Sequence, residues 1–223
     1  MTDEDFSAEA ADPHCVSPAE SDALLASAPW KRLAVFGDSA AEGLGQPVPG
    51  YRTIPWGERL RDSLARVSPG LEYANFGRRG LLSGQIREQQ LERVLEFAPD
   101  LACLVAGGND AFAPRFSPDE VEETIDGIVS ALRASGSDVL LFGLMDASAA
   151  LPELRPGRSR MIKLNAAVRA VAERHDGVFV DLWEHPARAD ADMYSDDKIH
   201  NSMRGHAAIA ADTIRALSRR IGS

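Results

Sequence analysis

Cysteine is scarce, with Cys15 and Cys103 the only two in 223 residues. Two thiols are too few for a disulfide framework, and Cys103 lies in an apolar run where a free thiol packs as a small hydrophobe. A reducing, cytoplasmic setting is the expectation. Long apolar stretches are missing, so the sequence offers no membrane-spanning segment. The first ten residues place three acids among the first five and have neither a basic start nor an apolar stretch, so they do not read as a secretory signal. Lys and Arg are absent from residues 1–30, which hold seven acids. Beyond residue 30 the chain carries 27 acids and 24 bases, so most of the formal net charge of −10 belongs to this leading segment. Residues 1–16 are expected to be a disordered, solvating acidic tail. No basic stripe with interleaved aromatics is present, which argues against nucleic acid as a partner.

Several site chemistries are missing as well. There is no phosphate loop of the form G-x-x-x-x-G-K followed by Ser or Thr, no G-x-G-x-x-G after the first apolar run, and no G-x-S-x-G nucleophile elbow. His, Cys and carboxylates do not cluster at metal-ligand spacing. The expectation is a mechanism with no cofactor and no metal.

What the chain does have is 44% hydrophobic residues, enough for one buried core. Five apolar runs of strand length, at 32–36, 71–75, 101–105, 138–142 and 177–181, read as strands buried on both faces. Helical spacing links Trp56, Leu60, Leu64 and Val67, then Val121, Ile125, Ile128 and Leu132, then Met161, Leu164, Val168 and Val171. A last amphipathic set carries Ala210, Ile214, Leu217 and Ile221. Ser117-Pro118-Asp119-Glu120 has the form of a capped helix start, and Ser17-Pro18-Ala19-Glu20 repeats it ahead of a short helix expected at about 17–27. Strands alternating with helices predict a three-layer α/β/α domain over 31–223, with a parallel sheet, preceded by a helix and linker at 17–30.

In a parallel sheet the strand C-termini share one edge, and ligands bind in the loops that leave it. Ser39, Gly77 and Asn109 follow the first, second and third strands. Ser39, in Gly37-Asp38-Ser39, is placed to be a nucleophile whose own N–H faces developing negative charge, or else it belongs to a helix cap. Gly77 offers an unobstructed N–H or simply a turn, and Asn109, after Gly107-Gly108, offers a neutral amide donor or good turn chemistry. In Asp197-Lys198-Ile199-His200 one turn brings a carboxylate to the imidazole Nδ1, leaving Nε2 for the nucleophile; the alternative is a polar surface loop. His14, His175 and His185 compete poorly as bases. His206 reads as the opening of the last helix or as support for His200.

With these four blocks in order on a matching strand and helix pattern, residues 31–220 resemble the SGNH, or GDSL-type, hydrolase family. The flanking Ala28-Pro29-Trp30-Lys31-Arg32 and Asn75-Phe76-Gly77-Arg78-Arg79-Gly80 are similar to its cytoplasmic actinobacterial branch. The resemblance implies a flavodoxin-like five-stranded sheet of order 2-1-3-4-5 and a Ser39-His200-Asp197 triad. It also implies an oxyanion hole from the N–H groups of Ser39 and Gly77 and the Asn109 amide. Asn201-Ser202 stands where many relatives have Pro or Leu after the histidine. The implied function is hydrolysis of a small-molecule carboxylic ester through an acyl-enzyme, with acyl transfer to another acceptor as the alternative and a non-catalytic binding module as a further one. Residues 47–56, 112–116 and 146–160 are candidates for shaping the pocket.

Overall fold

The computed structural model describes residues 5–222. Its sheet contains β1 (Arg32–Gly37), β2 (Glu72–Asn75), β3 (Leu101–Val105), β4 (Asp138–Gly143) and β5 (Val178–Asp181). Every pairing is parallel and the order is β2-β1-β3-β4-β5. The strands lie within one residue of the five apolar runs. The helices of the described residues are α1 (Ser7–Ala11), α2 (Pro18–Leu24), α3 (Ser39–Glu42), α4 (Trp56–Val67), α5 (Ser83–Phe97), α6 (Gly108–Phe112), α7 (Pro118–Ala134), α8 (Arg158–Arg174) and α9 (Met203–Ile221).

Successive strand residues point to opposite faces, which splits the core in two. Leu33 and Val35 of β1, Cys103 of β3 and Leu140 of β4 pack with α4 and α9 on one face. Ala34, Phe36, Leu104 and Leu141 pack with α5, α7 and α8 on the other. Serine caps open the helices that the capping signatures predict: Glu20 N–H donates to Ser17 Oγ at 3.1 Å, and Glu120 N–H to Ser117 Oγ at 3.3 Å. Helix α5 has no clear apolar period because the middle of its inward face is a glutamine. Gln90 is buried between Ile86 and Val94, where its amide bonds both the N–H and the C=O of Gly37, at 2.8 and 2.9 Å. A polar side chain thus continues the β-ladder beyond the end of β2 and satisfies backbone groups that burial would otherwise leave unpaired.

From β1 the chain crosses to β2 on one side and returns to β3 on the other. A crevice therefore opens at the C-terminal ends of β1 and β3, where the direction of winding reverses.

The leading segment differs from the disordered, solvating tail that its composition predicts. Residues 1–4 lie outside the described residues, but from residue 5 the chain is folded onto the domain. Glu9 of α1 is buried and receives hydrogen bonds from Arg59 at 2.7 and 2.9 Å and from Arg52 Nε at 2.9 Å. Asp12 accepts from the Tyr51 hydroxyl at 2.7 Å and from Arg204 Nε at 2.9 Å. Composition rules miss this because the cations that neutralise these acids lie far along the chain.

Burial works against ionisation of Glu9, but the Arg59 and Arg52 guanidinium groups outweigh it and hold its carboxyl at about 2. Glu9→Ala leaves Arg59, only 7% exposed, without its carboxylate. Loss of a buried partner of this kind costs about 3 kcal/mol, which a lowered denaturation midpoint will register. Because the carboxyl is depressed, its contribution is complete above the ordinary carboxylate range and is lost as pH falls toward about 2. The difference between wild type and Glu9→Ala should therefore shrink through that window; a difference independent of acid would contradict the ion-pair account.

Candidate active site

Ser39 is the first residue of α3, and the turn before it is made by Gly37 and Asp38. Asp38 Oδ1 accepts from Ala40 N–H at 3.0 Å and so caps this short helix. No hydrogen bond engages the Ser39 N–H among the described residues, which leaves it available at the helix start. Burial pushes the Asp38 carboxyl up to about 6, with Asp110 adding to the rise while the Ala40 N–H and His200 oppose it.

Asp197 and His200 stand in a loop tied to itself and to the segment that follows α3. His200 Nδ1 lies 2.6 Å from Asp197 Oδ2, while Asp197 Oδ1 accepts from the N–H groups of Ile199 and His200, both at 3.0 Å. Partial burial raises the Asp197 carboxyl, but the His200 side chain and these two N–H groups win and hold it at about 2. An ionised carboxylate accepts only, so His200 Nδ1 is the donor in this contact and Nε2 is the ring nitrogen left for another partner. Lys198 takes a left-handed φ of 60° to close the turn. The loop ends pair through an antiparallel bridge between Tyr194 and Asn201, and Ser195 N–H donates to His200 O at 2.8 Å.

Gln46 joins this loop to the segment following α3, a role that sequence reading missed. Its N–H donates to Ser195 Oγ at 3.0 Å, its Oε1 accepts from Asp196 N–H at 2.8 Å, and its C=O accepts from Met203 N–H at 2.9 Å. His206, in the first turn of α9, is buried; burial pushes its imidazole down to about 4. It is therefore neutral, with Nε2–H donating to Leu44 O at 3.0 Å and Nδ1 accepting from Trp56 N–H at 3.3 Å.

Ser39, Asn109 and His200 line one cavity of about 150 Å³, and no direct hydrogen bond joins Ser39 Oγ to His200. Such contacts are often long before substrate binds. Asn109 donates one amide hydrogen to Leu81 O at 2.9 Å and keeps the other. Segment 112–116 reaches the cavity through Phe112 and segment 146–160 through Asp146, Ala147, Ser148, Leu154, Gly157 and Arg158, whereas 47–56 contributes only Trp56. Of the remaining histidines, His175 pairs with Asp126 and His185 accepts from Ala187 N–H, away from the cavity.

Gly77 is not brought to the cavity. Its N–H donates to Asn75 Oδ1 at 2.8 Å, and a Cβ on it would stand 2.3 Å from Glu42 N, so its glycine lets the chain lie against α3. Asn75 Nδ2 also bonds Ala41 O at 2.9 Å, and the Asn75–Gly77 turn thereby supports the helix that carries Ser39. The neighbouring Gly80 is exposed, its N–H is unbonded among the described residues, and it immediately precedes Leu81, on whose carbonyl the Asn109 amide rests. Among the described residues no group of three or more His, Cys, Asp or Glu side chains is arranged to hold a metal ion.

Fold and site together define an α/β protein in which a serine hydroxyl, an amide donor and an imidazole share one cavity, the imidazole paired with a carboxylate beside it. The profile of the GDSL-like lipase/acylhydrolase family matches residues 35–208, and the chain belongs to that family of hydrolases acting on ester bonds. Among solved structures it is similar to LAE5, an α/β hydrolase enzyme from the metagenome of Lake Arreo, Spain. The TM-score is 0.69 at 22% identity, over 86% of this chain and 97% of that one. It is also similar to Axe2, an acetylxylan esterase from Geobacillus stearothermophilus, with TM-score 0.68 and 23% identity over 86% and 94%. Catalytic mutants of Axe2 at a serine, at an aspartate and at a histidine three residues after that aspartate match over the same span. At these identities the likeness is one of fold. A comparison with curated proteins finds no match. Among the described residues no helix is long and apolar enough to cross a membrane.

A raised carboxyl destabilises the folded state wherever it must ionise, so Asp38 should lower stability as pH rises from the ordinary carboxylate range through about 6. Asp38→Asn keeps an oxygen for the Ala40 N–H and removes the titration. The melting temperature of wild type should fall relative to that of Asp38→Asn between about pH 4 and pH 7; a constant gap would show that Asp38 does not titrate there.

Proposed function

We propose that this protein is a serine hydrolase that cleaves a small carboxylic ester through an acyl-enzyme on Ser39. The observation that carries the reading is the 2.6 Å contact between Asp197 and His200 Nδ1, made beside the cavity that Ser39 lines. The same order of serine, aspartate and histidine among the catalytic mutants of Axe2, with the same three-residue step from aspartate to histidine, adds to it.

Ser39 Oγ bonds to the ester carbonyl carbon as its proton passes to His200 Nε2. Asp197 holds the ring and stabilises the imidazolium that forms. The carbonyl oxygen becomes an oxyanion, met by the Ser39 N–H and the free Asn109 amide hydrogen. The third donor is the N–H of Gly80 rather than that of Gly77, which Asn75 occupies. The C–O bond to the alcohol breaks, and the alcohol leaves with the proton from His200. Water then gives its proton to His200, attacks the acyl carbon and releases the acid with Ser39 restored. No step draws on a cofactor.

Ser39→Ala should lower kcat on a turned-over ester by several orders of magnitude, and Asn109→Ala by about 10²- to 10³-fold with a smaller change in KM, since the amide acts on charge that develops in the transition state. Initial-rate kinetics on both variants test this. Wild-type turnover by Ser39→Ala would overturn the assignment.

A further inference from the structure

We propose that Asp12, in the leading segment, is a positioning residue for the histidine loop, acting through Arg204 to hold His200 where the reaction needs it. The inference rests on the acyl-enzyme reading above, and Asp12 lies outside residues 35–208, over which the chain matches its family. The loop that carries Asp197 and His200 leaves from 190–194 and returns at 201–204. Its two ends are joined directly: Ser202 N–H donates to Met193 O at 2.9 Å, the Ser202 hydroxyl to Asp192 O at 2.5 Å, and Tyr194 bridges to Asn201. Arg204 spans the same two ends. It is the second residue of α9, and its Nη1 donates to Asp190 Oδ2 at 3.0 Å and to Asp192 Oδ1 at 2.5 Å.

The side chains of Asp190 and Asp192 are 49% and 58% exposed, so water and salt screen their pairs with Arg204. That of Asp12 is only 3% exposed, and its Oδ2 accepts from Arg204 Nε at 2.9 Å. The buried carboxylate is therefore the contact that sets where the guanidinium stands. Asp12 is itself held on both oxygens: Oδ2 also accepts from the Tyr51 hydroxyl at 2.7 Å, and Oδ1 accepts from His14 N–H at 2.9 Å. Burial raises its carboxyl, but Arg204 and the Tyr51 hydroxyl outweigh burial and hold it below the ordinary carboxylate range. Tyr51 lies five residues after Gln46, which bonds Ser195 and Asp196 inside the loop. One carboxylate thus joins the base of the histidine loop to the segment that grips its middle.

Neither Asp12 nor Arg204 lines the cavity, so their loss acts on the place of His200 and not on contact with substrate. His200 must take a proton from Ser39 and return it to the leaving alcohol, and both transfers demand close alignment of the ring. Glu9, three residues before Asp12, supplies the contrast. It is buried on Arg59 and Arg52, and among the described residues neither of these guanidinium groups bonds any part of 190–204. Two buried ion pairs therefore fasten the same short segment, and only one of them leads to the histidine loop.

Initial rates on p-nitrophenyl acetate test this, measured on the full chain at a temperature where circular dichroism shows each variant folded. Asp12→Ala should lower kcat about tenfold with KM within about twofold of wild type, and should slow labelling of Ser39 by an alkyl fluorophosphonate by a similar factor. Glu9→Ala, although less stable, should keep the wild-type kcat and labelling rate. Arg204→Gln should lower kcat as Asp12→Ala does, and combining the two should cost no more than either alone, as expected of residues that act through one contact. If Asp12→Ala does not fold, Asp12→Asn, which keeps an oxygen for His14 N–H and removes the charge, takes its place. A wild-type kcat in the Asp12 variant, an equal loss in Glu9→Ala, or additive losses in the double variant would overturn the positioning role while leaving the hydrolase intact. A wild type that neither turns over the ester nor takes up the label would instead contradict the hydrolase reading and this role with it.

Discussion

The close approach of two strand ends at Gly37 is the constraint on which the site depends. A Cβ there would stand 1.9 Å from the carbonyl oxygen of Val105, a backbone atom inside a paired sheet that has nowhere to go. With no side chain at Gly37, β1 turns out of the sheet against the end of β3, and Asp38 N–H donates to that same Val105 oxygen at 3.2 Å. Ser39 follows two residues after Gly37, and Asn109 four after Val105. One contact between backbones therefore sets the loop of Ser39 beside that of Asn109. The Gln90 amide holds the outer edge of the same residue through its N–H and C=O, while Asp38 makes the bond on the β3 side. The roles proposed for Ser39 and Asn109 need placement to a fraction of an ångström, and this backbone contact contributes to it.

The histidine reaches this edge by a different route. Its loop belongs to no strand, and it is placed by ties from distant parts of the chain: Gln46 on Ser195 and Asp196, the 2.5 Å pair of Lys198 with Glu153, and Arg204 joined to Asp12, Asp190 and Asp192. The leading segment thus takes part in the scaffold of α9, at whose start the loop ends.

The strands were legible because burial on both faces leaves continuous apolar runs, and the long helices because they bury one stripe. Helix α5 was not, since the residue at the centre of its inward face serves the backbone of Gly37 rather than the core. The acids of the leading segment looked solvent-bound because composition carries no record of Arg59, Arg52 and Arg204 folding back to meet them. At the site, the Asp197–His200 pair was readable because it lies within one turn, and Ser39 and Asn109 because parallel strands put their C-terminal ends on one edge. Gly77 lies off the cavity wall for a local reason. Both Gly77 and Gly80 offer bare N–H groups in the same loop, and only the position of the Asn75 side chain shows which of the two is already occupied. Gln46 makes its bonds across some 150 residues of chain, a distance over which spacing says nothing.

The central claim is that Ser39 is the residue that becomes acylated. Intact-mass analysis and peptide mapping after treatment with an alkyl fluorophosphonate test it most directly, since the reagent reacts with a serine only when a neighbouring base activates it. The account predicts a single adduct on Ser39, absent from Ser39→Ala and greatly slowed in His200→Ala. An adduct on another residue, or equal labelling of wild type and Ser39→Ala, would contradict it.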